Sequence, residues 1–233
     1  MTPWKEAWFG TAAKRRSELW RGVEAQHLIA TMRLVDTVEE QEVLERLLDS
    51  SKPALPPEAK GRHFLVTTPF RYISPVASRF RPPGAPGIWY GAETVRTVCA
   101  EIAYWRWRFV MASDGLAAQA VHTQHSVFPA VAEGVALDLT TPPWSARMTL
   151  WRHRSDYSAC HALASAARER AVQWLRYRSA RDPDGVCGAV LTPAILSARR
   201  LERQQTWACK VSAAQIFMQR DSERIAFDPG GWA

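Results

Sequence analysis

Arg79, Tyr90 and Glu101 fall within one stretch, SRFRPPGAPGIWYGAETVRTVCAE, at residues 78–101. An arginine in a Pro/Gly-rich loop can hold a phosphate through its planar fork of donors. A nearby aromatic ring can stack on a base or a nicotinamide. A carboxylate can stabilise positive charge that develops on a sugar. Together these three needs describe a nucleotide site. Glu101 also suits a solvated place on its helix, which on pattern alone is the commoner fate of a helical glutamate. Its neighbours three and four residues away are Thr97, Val98, Tyr104 and Trp105, so no ion pair on an adjacent turn accounts for it. Tyr90 could equally fill a core at a strand end, and Arg79 or Arg81 could be exposed loop charges.

Other chemistries find less support. His122 and His125, and farther on His153, Cys160 and His161, match no structural-zinc spacing, and there is no H-E-x-x-H, so no metal site is expected. Neither a G-x-S-x-G elbow nor a local catalytic cysteine signature is present. No G-x-G-x-x-G follows a strand, which argues against a Rossmann cofactor site.

The elements that must carry these residues read as a mixture. ETVRTVCAEIAYWRWRFV has helical period, with Val95, Val98, Cys99, Ile102, Trp105 and Phe109 on one apolar face. Residues 1–50 read as helical. Within them TVEEQEVLERLLDS carries a capping box at Thr37 and Glu40 and an apolar stripe through Val43, Leu44, Leu47 and Leu48. The Pro-rich linker SSKPALPPEAKG then divides a helical extension, 1–60, from a main domain, 61–233. HFLVTTPFRYISP and PGIWYG read as strands, GVALDL as a buried strand, and SDYSACHALASAARERAVQWL as a helix capped by Ser155 or Asp156. GAVLTPAIL, TWACKVSAAQIFM and RIAFD supply further strands. Helices and strands in irregular order predict an α+β domain.

The chain's 233 residues suit one large core, and its apolar and charged fractions, 47% and 23%, are ordinary for a globular protein. Its formal charge is +7. Such a field attracts polyanions of any kind. The four cysteines lack a C-x-x-C pair, which fits reduced, buried thiols. MTPWKEAWFGTAAKRRSELW has no apolar signal region, and no window approaches the roughly 18 apolar residues that span a bilayer. A cytoplasmic protein without a membrane partner is expected.

The ordered set of motifs resembles the RES domain family, the toxins of RES-Xre toxin–antitoxin systems. Arg79-Phe80 opening a Pro/Gly loop, Tyr90 ending a strand and Glu101 eleven residues later match that family's signature. FRYISP resembles its first arginine motif, at Arg71 and Tyr72; ALDLT, DYSAC and LRYRSARDPDGVCGAVL resemble later blocks, with the serine of Y-x-S-x-R at Ser179. The match spans roughly residues 64–210. It departs from the usual pattern at Ala77-Ser78, where Gly-Gly is common, and at Arg81, where Asn is common.

The resemblance implies an ADP-ribosyltransferase-like fold, a central split β-sheet with flanking helices, and NAD consumed as substrate by cleavage of its nicotinamide–ribose bond, with no further cofactor. It implies that Glu101 stabilises the ribose cation, that Arg71 and Arg79 grip the pyrophosphate or orient the ribose, that Tyr72 and Tyr90 pack the rings, and that Ser179 donates a hydrogen bond. The ADP-ribose acceptor is left open among water, phosphate, and a protein or nucleotide. An Xre-like antitoxin covering the active site is the implied partner, and a homodimer within a larger complex is compatible with it. The competing class is a non-enzymatic nucleic-acid-binding module, suggested by YWRWRF and TLWRHR. It is disfavoured because no clustered basic stripe is evident and core packing would explain the aromatics.

Overall fold

The computed structural model describes residues 2–25, 34–198 and 201–232. Its centre is a nine-stranded mixed sheet with flanking helices, an α+β fold. Strand β1 (Ala13–Glu24) runs antiparallel to β3 (Val121–Asp138) along its whole length, from Ala13 opposite Ala136 to Glu24 opposite His125. The other edge of β3 takes β7 (Gln205–Val211) near its start, β6 (Leu196–Ser197) midway, and β4 (Trp174–Arg178) in parallel at its end. β8 (Ile216–Arg220) and β9 (Glu223–Phe227) continue outward from β7 as a meander. On the other side, β4 pairs with β5 (Val186–Val190), which pairs with β2 (Trp89–Ala92).

β1 pairs with β2 in register at Trp20 and Ala92. From that point the sheet opens into two arms, and a cleft lies where they part. Gly91 permits the approach of the two strands, and Gly22 that of the helix carrying Ile102. A Cβ on Gly91 would fall 2.5 Å from the Trp89 ring and 2.9 Å from the Trp20 carbonyl, and one on Gly22 would fall 2.3 Å from Ile102 Cδ1. Leu19 and Trp20, adjacent on β1, enter opposite apolar clusters, so the sheet is buried on both faces here.

Residues 13–24, expected as helix, therefore form a central strand, in the same sheet as strands from beyond residue 61. The charges of KRRSELWRGVE suit a helix locally, but a hydrogen-bonded partner along the full strand outweighs local preference. The part of the helical reading on residues 26–33 lies outside the described residues. Helix α1 (Val38–Ser50) forms as expected, with Thr37 Oγ1 accepting from the Glu40 amide at 3.1 Å and Glu40 Oε2 accepting from the Asp36 amide at 2.8 Å. None of its residues is buried, and its apolar stripe is exposed at Val43, Leu47 and Leu48.

HFLVTTPFRYISP, expected as a strand, contains helix α2 (Phe64–Arg71), whose first turn is capped by His63 Nδ1 accepting from the Leu65 amide. Helix α3 (Val95–Met111) begins at Thr94, whose Oγ1 accepts from the Thr97 amide at 3.1 Å. Its buried face carries Cys99, Ala100 and Ala103, small residues that let the helix lie close to the sheet, together with Tyr104 and Val110. Trp105 and Phe109, expected on that face, are 42% and 60% exposed, so core packing does not explain these aromatics. Helix α4 (Ser158–Glu169) is shorter than its pattern suggested, because Ala171 takes a positive φ of 55° and the chain turns into β4. Asp156 holds its start by accepting from the Ser158 amide at 2.9 Å. All four cysteines are free and buried, and no described helix is long and apolar enough to cross a membrane.

Candidate active site

Glu101 sits half-buried on α3 and faces the cleft between the two arms of the sheet, a cavity of ≈ 330 Å³. That is within the range, roughly 300–1,000 Å³, of small-molecule sites. The Ser179 hydroxyl donates to Glu101 Oε1 at 2.6 Å. Ser179 is itself wholly buried, and its Oγ accepts from the backbone amides of Arg181 and Asp182, each at 3.0 Å. Because both amides donate to that oxygen, its single proton is directed at the carboxylate.

The turn holding Ser179 is tied to the helix that carries Glu101. Asp182 Oδ2 accepts from Thr97 Oγ1 at 2.7 Å, the Gly185 amide donates to the Asp182 carbonyl, and the Ser179 amide donates to the Gly185 carbonyl. Acid and hydroxyl are thus positioned by one network that spans α3 and the β4–β5 turn.

Arg79 and Tyr90 line the same cavity. Arg79 is buried; its Nη1 donates to the carbonyls of Trp151 at 3.0 Å and His153 at 2.8 Å, and its guanidinium lies 4.9 Å from the centre of the Tyr157 ring. Burial acts to lower its pKa, but the fields of Tyr177, Glu101, Tyr157 and Cys160 prevail and raise it. The Tyr90 hydroxyl accepts from the Phe80 amide at 3.0 Å and lies 2.9 Å from Ser78 Oγ. Burial keeps this phenol protonated. His161 Nε2 bonds the Ser78 carbonyl at 2.8 Å, which requires that nitrogen to carry the proton. The loop ahead of Tyr90 is therefore anchored from β2 and from α4.

Arg71 and Tyr72 are elsewhere. Arg71 ends α2 and its Nε donates to the Pro53 carbonyl, while Tyr72 is 40% exposed; neither lines the cavity. The structure brings together Glu101, Arg79, Tyr90 and Ser179 and leaves those two outside, because α2 carries their segment away from the cleft where a strand was expected.

Sequence reasoning missed several walls of the cavity. Arg21 on β1 donates from Nη1 to the Tyr90 carbonyl at 2.9 Å, and burial lowers its pKa to about 10. Its strand was read as helix, so nothing marked it. Tyr157, Tyr177 and Arg181 lie in DYSAC and YRSAR, which drew notice as blocks without these roles. Burial drives the Tyr177 phenol well above its ordinary range, and Glu101 adds to this. His125 also lines the cavity and is held neutral, its pKa lowered to about 4 by burial and then by Arg106. Among the described residues, no cluster of three or more His, Cys, Asp or Glu side chains could hold a metal ion.

A family model for the RES domain matches residues 55–212. The chain belongs to the RES domain family. The match includes Arg79, Tyr90, Glu101, Ser179 and Arg181, whereas the β1 wall with Arg21 precedes it. Among solved structures, this RES chain is similar to a chain in the M. tuberculosis MbcT-MbcA toxin-antitoxin complex. The identity is 15%, the alignment covers 90% of this chain and 94% of that one, and the TM-score is 0.48. A comparison with curated proteins gives no match.

Proposed function

We propose that this RES protein is the toxin of a toxin–antitoxin pair and that it consumes NAD by cleaving the nicotinamide–ribose bond. The observation that carries the reading is the Glu101–Ser179 hydrogen bond inside a cleft lined by arginine and tyrosine. Loss of nicotinamide leaves an oxocarbenium-like ribose. A carboxylate fixed beside that centre interacts with charge that exists only in the transition state, which is where binding raises the rate. The Ser179 proton leaves one carboxylate oxygen, Oε2, free to face the sugar. The buried phenols remain protonated, so they offer hydrogen bonds and ring faces without adding negative charge to the site.

Glu101→Gln keeps the shape and the hydrogen bond from Ser179 but removes the charge. Turnover of NAD should fall by about 100-fold to 1000-fold with the melting temperature little changed. Equal NAD consumption by variant and wild type would remove Glu101 from the mechanism. Chromatography of the products with and without phosphate, and with cell lysate, identifies the acceptor as water, phosphate or a macromolecule. The same reading assigns an Xre-like antitoxin to the mouth of the cleft, where Trp105 lines the cavity and is exposed.

A further inference from the structure

The walls of the cleft carry four arginines, Arg21, Arg79, Arg106 and Arg181, against two carboxylates, Glu24 and Glu101. Arg106 pairs with Glu24, and His125 is neutral. Three guanidinium groups thus face a single glutamate, an excess of two positive charges in a largely buried space. The hydrogen bonding of the three differs. Arg79 directs Nη1 to two backbone carbonyls; Arg21 directs Nη1 to one and buries its Nε without a partner.

Arg181 is 6% exposed and donates from Nη2 to the Arg154 carbonyl at 2.7 Å. Its guanidinium lies 3.3 Å from the centre of the Tyr104 ring, which fixes the plane of the fork. Its Nη1 is buried with no hydrogen-bond partner, and among the described residues Arg181 pairs with no carboxylate. A buried guanidinium N–H without an acceptor is costly, and such a group calls for a partner that arrives from outside the chain.

We propose that Arg181 is a phosphate-binding residue of this cleft and takes the diphosphate of the dinucleotide, an assignment that rests on the NAD-consuming reading above. A diphosphate diester carries two negative charges, equal to the local excess, and its oxygens suit a planar, pre-oriented fork. Arg181 follows Ser179 by two residues, and its backbone amide donates to the oxygen that bonds Glu101. The turn that orders the carboxylate therefore also places the phosphate-binding group, so phosphate recognition and the reacting sugar are held in one register.

The test is calorimetric titration of the full chain with ADP-ribose, which has the diphosphate but no bond to cleave, and with nicotinamide riboside, which lacks phosphate. Arg181→Gln should weaken ADP-ribose about 100-fold, and Arg181→Lys, which keeps the charge but loses the fork, about 10-fold. Neither should change the affinity for nicotinamide riboside. Inorganic pyrophosphate should compete with ADP-ribose on the wild type and not on Arg181→Gln. Unchanged ADP-ribose affinity, or an equal loss for both ligands, would overturn the assignment. A wild-type chain that binds no ADP-ribose and consumes no NAD would instead defeat the underlying reading. Crystals of the wild type with ADP-ribose decide the matter if the variants do not fold: a phosphate oxygen in hydrogen-bond distance of Arg181 supports the assignment, and one lying well beyond overturns it.

Discussion

Ser179→Ala separates the structural and chemical parts of the site. The substitution removes one oxygen that makes three bonds: donation to Glu101 Oε1 at 2.6 Å, and acceptance from the amides of Arg181 and Asp182 at 3.0 Å. The residue is wholly buried, so the two amides lose their acceptor in a dry environment. Each orphaned donor costs about 1–3 kcal/mol, and the lost bond to the carboxylate is worth about 1.5–3 kcal/mol, reduced because Glu101 is only half-buried and water can replace it. Some relaxation of the turn offsets the sum, and we expect a net loss of about 3 kcal/mol. For a chain of this size that lowers the melting temperature by roughly 6–12 °C. Thermal unfolding followed by circular dichroism measures it. NAD turnover, assayed well below the new midpoint, should also fall, because Glu101 loses the group that orients it. A melting temperature within about 1 °C of wild type would refute the reasoning, since it would mean that Ser179 Oγ does not serve those amides.

Two other perturbations test separate parts of the site. His125 has a folded pKa of about 4, whereas a free histidine titrates near ~6.5, so between those values the unfolded chain binds more protons. Stability should therefore fall as pH drops through that window, by up to about 3 kcal/mol, and His125→Gln should flatten the profile; melts from pH 7.5 to 4.5 with the same slope in both proteins would contradict it. Arg71→Ala, at a residue outside the cleft, should leave NAD turnover within about twofold, whereas Arg79→Ala should reduce it about 100-fold; initial rates on both variants decide whether Arg71 belongs to the chemistry.

The legible parts of this sequence are those whose partners lie close along the chain. The Thr37 cap, the helical period of ETVRTVCAEIAYWRWRFV and the PGIWYG strand each announce themselves within a few residues. The order Arg79, Tyr90, Glu101, Ser179 was readable as a motif, and the fold sets the first three on one cavity, with Ser179 buried behind the wall and bonded to Glu101. Arg71 and Tyr72 sat in an equally suggestive motif, but FLVTTPFR has β-branched residues that favour a strand locally, and its helical state is settled by what packs around it. Trp105 and Phe109 fit the apolar period of α3, yet the helix rests on the smaller side chains of a neighbouring face, which a period count cannot rank.

β1 is the strongest case of structure that local sequence hides, and it bears on what the cleft is. A strand written as AKRRSELWRGVE has little alternation because it is read from both faces: Leu19 enters one core cluster, Trp20 the other, and Arg21 lines the cavity. It precedes the residues matched to the RES domain, yet it supplies one wall of the cleft and pairs with β3 throughout. The aromatic segment before it packs on the main domain as well, with Phe9 edge-on to Trp144 at 5.3 Å and Trp4 against Trp151 at 6.4 Å. Trp151 in turn offers its carbonyl to Arg79. The N-terminal segment thus reaches the cleft twice, once directly through Arg21 and once through the tryptophan that holds Arg79. On these contacts the cleft is built jointly by residues 2–25 and by the matched domain, so substrate recognition and the position of the N-terminal strand are a single structural property.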